Sequence, residues 1–232
     1  MTSKIENIAI IPVRGGSKRI KNKNLINFFD KPMFIHTVNH ALESNLFDKI
    51  HVSTESKEIL KICEKYNIEV DFLRPNELAR DRSKLSDVME FVIKKYESYN
   101  IQIENICMLW ATSPLRTKED ILNSYKMLDK GTNAVISVTS YDLPFWCAQE
   151  EDKHGNLKKI FPDEFWKTSH EVPSIFCDNG SICWIKTKAF LKHKNWFPPL
   201  SKGYLMPKER SIDIDTQFDL DFAEYLYGKN KT

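Results

Sequence analysis

The stretch IAIIPVRGGSKRIKNKN, residues 8–24, decides how the rest of the chain is read. Its apolar run from Ile8 to Ile11 has the composition of a strand buried on both faces. Pro12 stops that strand, because proline has no N–H to give to a ladder. Gly15 and Gly16 follow side by side, two of only 7 glycines in the chain, and point to a tight turn or to close approach of a ligand. Arg14, Lys18, Arg19, Lys21 and Lys23 then put five cations into ten residues, with no acid between Glu6 and Asp30. A strand, bared backbone N–H groups and clustered Lys and Arg together make a cradle for a polyphosphate. The same run also reads as a solvated basic turn. Its place after the first strand of an α/β pattern favours the cradle, since ligands bind at the C-terminal ends of such strands. Neither GxxxxGKS/T nor GxGxxG occurs here, so the cradle is of another kind.

Working outward, strand and helix patterns alternate. Pro32 suits a first helical position, and Met33, Thr37, Ala41 and Leu42 carry a helix to about Ser44. Residues 49–54 read as a second strand, and Ile59, Ile62, Cys63 and Tyr66 as a second helix. Residues 68–73 read as a third strand, followed by the loop RPNELARDRS. Leu85, Val88, Met89, Val92, Ile93 and Tyr96 form the apolar stripe of a third helix. A fourth strand covers 105–109, and ATSPLRTKED leads into a helix with Thr117 as N-cap and Asp120 three residues on. Ile121, Leu122, Tyr125 and Leu128 are its apolar stripe, and 134–139 is a fifth strand. This alternation predicts an α/β protein with βαβ units and a parallel sheet. From Ser140 to about Trp184 the rhythm breaks and aromatic residues crowd in. That excursion reads equally as an interface or lid and as a cover for one sheet edge. A strand at 181–186 and a helix over 216–227 complete the chain.

Composition bounds the function. The chain has 232 residues, 41% of them hydrophobic, which suits a single domain over 1–232 with a small excursion at about 140–180. A net charge of +2 and the absence of a nucleic-acid-binding motif argue against a nucleic-acid partner. The five cysteines are scattered, odd in number and without a CxxC pair, as expected of reduced thiols in a cytoplasmic protein. The first apolar run is too short for a signal peptide, and no stretch reaches the length of a membrane span. His36 and His40 stand at i,i+4 spacing without an intervening glutamate, which reads as a helix-surface pair.

A second constellation stands near the end, in SIDIDTQFDLDF. If Ile212 to Asp215 is a strand, Asp213 and Asp215 share a face, with Cα atoms about 6.6 Å apart. Their oxygens can then converge on one hard cation, and Mg2+ typically takes one or two carboxylates together with substrate phosphates. A solvated strand face followed by the cap of the last helix is the plainer alternative.

With both ends read, the sequence resembles the CMP-sialic acid synthetase (acylneuraminate cytidylyltransferase) family, which includes the pseudaminic and legionaminic acid cytidylyltransferases. The matching motifs are IIPVRGGSKRIKNKN at 10–24, STE at 53–55, FLRPNELARD at 72–81, ATSPLRT at 111–117, DNGSI at 178–182 and IDIDTQFDL at 212–220. The resemblance implies a Rossmann-like nucleotidyltransferase fold with a mostly parallel, mixed sheet flanked by helices and a protruding dimerisation element, here 140–180. It implies a homodimer that transfers CMP from CTP to the anomeric hydroxyl of an acidic, sialic acid-like sugar, with Mg2+ as cofactor. It assigns Arg14, Gly15, Gly16, Ser17, Lys23, Asn24 and Arg74 to the nucleotide, with Arg14 and Lys23 stabilising the leaving pyrophosphate. Asp213 and Asp215 match the metal-binding aspartates. Trp110, Thr112, Ser113, His170, Asn179 and Gly180 fall on the sugar side. There the sequence departs from the sialic-acid members, with Trp110-Ala111 in place of Gln-Pro, a segment similar to the aromatic-Ala-Thr of members acting on pseudaminic acid; Thr168 stands where an arginine is expected, and Cys177 replaces a basic residue. Lys167, His170 or a residue of a second protomer are the candidate replacements. Activation of a 3-deoxy-manno-octulosonate-type sugar and a catalytically silent nucleotide-binding module remain the other readings.

Overall fold

The computed structural model describes residues 2–16, 20, 22–80, 82–141 and 144–229. In chain order its strands are β1 (Ser3–Pro12), β2 (Asn27–Phe28), β3 (Lys31–Pro32), β4 (Lys49–Ser53), β5 (Ile101–Leu109), β6 (Ala134–Ser140), β7 (Gln149–Glu151), β8 (Leu157–Lys159), β9 (Phe176–Lys186) and β10 (Ser201–Leu205). The helices are α1 (Met33–Ser44), α2 (Lys57–Lys65), α3 (Leu85–Ser98), α4 (Lys118–Lys126), α5 (Thr187–His193) and α6 (Gln217–Lys229). Six strands form one sheet in the order β10-β6-β9-β5-β1-β4. β9 runs antiparallel to both of its neighbours, and the other pairings are parallel.

The run read as doubly buried is so. Ala9 and Ile11 of β1 pack with Phe34, Val38, Ile59 and Cys63 of α1 and α2, while Ile8 and Ile10 pack with Met89, Val92 and Ile93 of α3. Alternate side chains of a strand point to opposite faces, so helices on both sides require an unbroken apolar run. Each isoleucine of the run, removed from water, contributes roughly 1.5–3 kcal/mol. Pro12 is the last residue of β1. The capping box is present on α4: Asp120 N–H donates to Thr117 Oγ1, and Thr117 N–H donates back to Asp120 Oδ2 at 3.0 Å.

Several expectations are corrected. Residues 68–73 form no strand. They run beside the edge strand β4 through side chains: Lys49 pairs with Glu69 and Asp71, and His51 packs on Phe72. Apolar alternation reports a buried face but carries no information about a backbone partner. Pro32 caps α1 instead of starting it, and Leu42, placed in the apolar stripe, is 56% exposed. β9 begins at Phe176, five residues before the expected start. Residues 211–215 are not a strand either. The excursion holds the β7–β8 hairpin and an aromatic cluster of Tyr141, Phe145, Trp146 and Phe161. Among the described residues no helix is long and apolar enough to cross a membrane.

The histidine pair is not a surface feature. His36 is buried, with Nε2 2.8 Å from Phe28 O, and His40 Nδ1 is buried without a hydrogen-bond partner among the described residues. Burial above all, then the nearby Arg116 charge, lowers the His40 pKa to about 3. Burial likewise lowers His51 to about 4. In the unfolded chain an imidazole takes its proton near pH 6.5. Folding expels that proton, so stability is full above about pH 6.5 and falls as pH drops toward the folded values, by up to about 1.4 kcal/mol per pH unit for each group. Urea midpoints at pH ~5 should therefore lie well below those at pH ~7.5. His40→Gln should flatten that dependence; an unchanged slope would remove His40 as a cause.

Candidate active site

A cavity of about 570 Å³ opens at the C-terminal ends of β1 and β5. Arg14, just beyond β1, lines one wall with Lys23 and Asn24, and Arg74 stands beside them. Trp110, Ala111 and Thr112 follow β5 and form another wall, and Asp213 and Asp215 close it. The two ends of the chain, about two hundred residues apart, therefore meet in one place.

Lys23 and Arg74 are each held by an acid that local sequence does not supply. Glu55, just past β4, accepts Gly15 N–H on Oε1 at 2.8 Å and Arg74 on Oε2 at 2.7 and 3.1 Å. Arg74 has a 3% exposed side chain, and its N–H donates to Thr54 O. Lys23 Nζ reaches across to Asp215 Oδ1 at 2.7 Å and to Ile214 O at 2.6 Å. The stretch that has no acid inside it is thus met by Glu55, on the Gly15 N–H, and by Asp215 from the chain's end, on Lys23. Asn24 is buried and donates to Arg14 O at 3.1 Å, which fixes the turn between the two cations. A Cβ on Gly15 would sit 3.0 Å from Ser56 Cβ, whereas one on Gly16 would meet nothing within 4 Å. The expected close approach is therefore real at Gly15, but to the protein's own Ser56. Ser17, with Lys18, Arg19 and Lys21, lies outside the described residues.

The two aspartates keep their alternation without a sheet. Ile214 between them is fully buried in a cluster with Phe28, Leu220 and Ala223, and its N–H donates to Thr112 O. Turning Ile214 inward turns Asp213 and Asp215 outward. Thr112 Oγ1 donates to Asp213 Oδ1 at 2.5 Å. Opposite, β9 bulges: Ile136 faces Cys183 and Val138 faces Asp178, so residues 179–182 lie across from Ser137 alone. Bulges often re-aim chain near sites. This one brings Gly180, at φ +57°, so close that a Cβ there would meet Asp213 Oδ2 at 3.0 Å.

The sugar-side residues divide. Trp110 and Thr112 line the cavity, and Gly180 borders Asp213. Ser113 is buried and donates to Gly180 O at 2.8 Å. Asn179 is buried too, accepting from Ser137 Oγ and donating to Ser211 Oγ at 2.9 Å. Both side chains join segments of the wall and do not face the cavity. His170 is exposed in the excursion and is not part of the cavity wall.

Two further arginines, passed over in the sequence, hold the walls in place. Arg116 is fully buried and donates to Trp110 O, Ser181 O and Thr37 Oγ1 at 2.9, 2.5 and 2.7 Å. Burial lowers its pKa to about 10. Arg210 binds the fully buried Asp120 with two hydrogen bonds of 2.8 and 2.9 Å. Burial raises the Asp120 carboxyl, but the bonds from Arg210 and Thr117 outweigh it and hold that group below its ordinary range.

Among the described residues no group of three or more His, Cys, Asp or Glu is placed to hold a metal ion. Asp213 and Asp215 both line the cavity, and two carboxylates are oxygen donors of the kind that a magnesium ion takes beside waters and substrate phosphates. Chemically, the cavity can hold a polyanion on Arg14, Lys23 and Arg74 against two carboxylates.

This is the arrangement of an α/β protein that handles nucleotide phosphates at the C-terminal end of its sheet. The chain belongs to the cytidylyltransferase family, whose model matches residues 8–230. It is 31% identical to a pseudaminic acid cytidylyltransferase of Campylobacter jejuni over 97% of this chain and 98% of that one. It is 32% identical to a CMP-N,N'-diacetyllegionaminic acid synthase of Legionella pneumophila over 97% of each chain. An N-acylneuraminate cytidylyltransferase of Escherichia coli is 33% identical over 96% of this chain, which spans 52% of that longer protein. A solved structure of CMP:2-keto-3-deoxy-manno-octonic acid synthetase complexed with CTP shares the fold, with a TM-score of 0.72 and 13% identity over 97% of this chain and 99% of that one.

Proposed function

We propose that the protein transfers CMP from CTP to the anomeric hydroxyl of a nonulosonic acid and releases pyrophosphate. One observation carries this reading: Arg14, Lys23 and Arg74 line the same cavity as Asp213 and Asp215. A silent nucleotide-binding module has no need of that convergence. The relatives matched over nearly their full length are named for pseudaminic and legionaminic acids, which favours a nonulosonic acid over a 3-deoxy-manno-octulosonate.

The hydroxyl attacks the α-phosphorus in line and gives its proton to solvent water, while the bond from the α-phosphorus to the oxygen bridging it to the β-phosphate breaks and pyrophosphate leaves with that oxygen. The protein's part is positioning and charge stabilisation. Arg14 and Lys23 bind the β- and γ-phosphates and stabilise the charge that develops on pyrophosphate. Arg74, fixed by Glu55, and Asn24 orient the nucleotide. Trp110, Thr112 and Gly180 border the sugar. Asp213 and Asp215 would hold Mg2+, which when bound supplies positive charge to phosphate oxygens and makes a neighbouring hydroxyl more acidic.

We take residues 1–232 as one domain acting in the cytoplasm, consistent with cysteines that form no disulfide. The exposed aromatics of the excursion, Trp166 at 78% and Phe176 at 48%, are proposed as the contact between two copies. Light scattering should then give about twice 27.2 kDa; a monomer at high concentration would count against it.

The deciding experiment incubates the protein with CTP, Mg2+ and a panel of pseudaminic, legionaminic, N-acylneuraminic and 3-deoxy-manno-octulosonic acids. The expected result is a CMP-sugar and equimolar pyrophosphate with one of the first three. ATP in place of CTP should give no product. Pyrophosphate release with none of the acids, or with ATP as readily as with CTP, would overturn the proposal.

A further inference from the structure

The segment that carries Asp213 and Asp215 has no ladder to hold it, so something else must fix its position. Ile214 anchors it from below, and Asn179 Nδ2 donates to Ser211 Oγ. Directly upstream stands Arg210, whose guanidinium grips Asp120 with Nε on Oδ2 and Nη2 on Oδ1. Asp120 is 0% exposed, and its remaining acceptor sites are filled by Tyr204 OH at 3.0 Å and by the Thr117 N–H and hydroxyl at 3.0 and 3.2 Å. A planar guanidinium on a fully engaged carboxylate has one orientation, unlike a lysine ammonium.

The connection closes on itself. Asp120 sits in the first turn of α4, directly after the loop that presents Thr112, and Thr112 donates to Asp213. From Thr112 the ring runs along the chain to Thr117, through Asp120 to Arg210, along the chain to Asp213 and back to Thr112. Only Thr112 and Asp213 of this ring line the cavity.

We propose that Arg210 is a positioning residue: through Asp120 it sets where Asp213 stands relative to Thr112, and so where a divalent cation sits in the cavity. This rests on the reading of the site given above. A displacement of about 1 Å in such a group costs on the order of 10²-fold in rate, so loosening the grip should be visible in the chemistry before it is visible in the fold.

The test uses Arg210→Lys, which keeps the charge and loses the fork, and Asp120→Asn/Arg210→Gln, which removes both charges at nearly constant volume and avoids leaving a buried charge alone. Folding is checked by circular dichroism and thermal melting. Mn2+ affinity is read by electron paramagnetic resonance on the whole protein without nucleotide, and kcat, KM for CTP and the Mg2+ concentration for half-maximal rate are read separately. We expect folded Arg210→Lys to bind Mn2+ at least fivefold more weakly. Its kcat should fall at least tenfold, its Mg2+ requirement should rise several-fold, and its KM for CTP should change less than threefold. A folded variant with Mn2+ affinity and kcat within twofold of wild type would reduce Arg210 to a structural tie and overturn the proposal. Should the wild type activate no sugar, the function proposed above falls and the Mn2+ affinities judge Arg210 by themselves.

Discussion

Asp213→Asn and Asp215→Asn each lower the rate of CMP transfer by about 10²–10³-fold, the loss expected when one preorganised charge contact is removed. The substitutions keep size and remove one negative charge each. Neither side chain lies in the core, so the fold should survive. The double variant should be little worse than the worse single one, because groups that act as a unit are not additive. Added Mg2+ should recover part of the rate, since occupancy is one part of the defect and geometry the other. Ca2+ should support the wild type poorly, because it tolerates longer and looser coordination. Pyrophosphate release at saturating CTP and sugar is the measurement. Near-normal turnover in both single variants would return the pair to a solvated surface.

Lys23→Ala has the next largest expected effect, a fall in turnover of about 10²-fold or more. A loop lysine facing only solvent would change stability little. Lys23 does not fit that description: its side chain is 12% exposed and binds Asp215 and Ile214 O. Losing a charged hydrogen bond in such a place costs roughly 1–3 kcal/mol. At about 2–4 °C per kcal/mol for a chain of this size, the melting temperature should drop by several degrees. Lys23→Arg should restore most of the stability and only part of the rate, because the guanidinium carries the charge at a different reach. Wild-type turnover in Lys23→Ala would exclude this residue from the phosphate site, whatever happened to the melting temperature.

Much of this could be read from residue order alone, and the boundary is physical. The buried run Ile8–Ile11, the stripe of α3 and the capping box at Thr117 are local patterns, and local patterns appear in sequence. The aspartate pair was legible because an inward Ile214 fixes its outward neighbours whether or not a ladder exists. What failed concerns partners. Residues 68–73 have the alternation of a strand and no backbone to pair with. The antiparallel β9 inserted between β5 and β6 has no signature in strand–helix alternation. The pairs Glu55–Arg74 and Asp120–Arg210 join residues 19 and 90 positions apart, and no spacing rule connects them. Asp120 was visible as half of a cap; its second partner, three residues before the aspartate motif, was not.

The sheet order also bears on how the chain is made. β9 lies between β5 and β6 but follows both in the chain. Until residue 186 is synthesised, β5 has one bare edge and β6 has no neighbour at all. At about 5–20 residues per second, the wait between β5 and the end of β9 is roughly 4–15 s. During that time an unpaired edge is open to wrong partners. Long-range pairing of this kind also slows folding. The strand that finally joins the two halves is the one whose bulge carries Gly180 to Asp213. Joining the two halves of the sheet is therefore a late event and completing the site a later one, since Asp213 and Asp215 follow β9 in the chain; a nascent chain that stops short of β9 has neither.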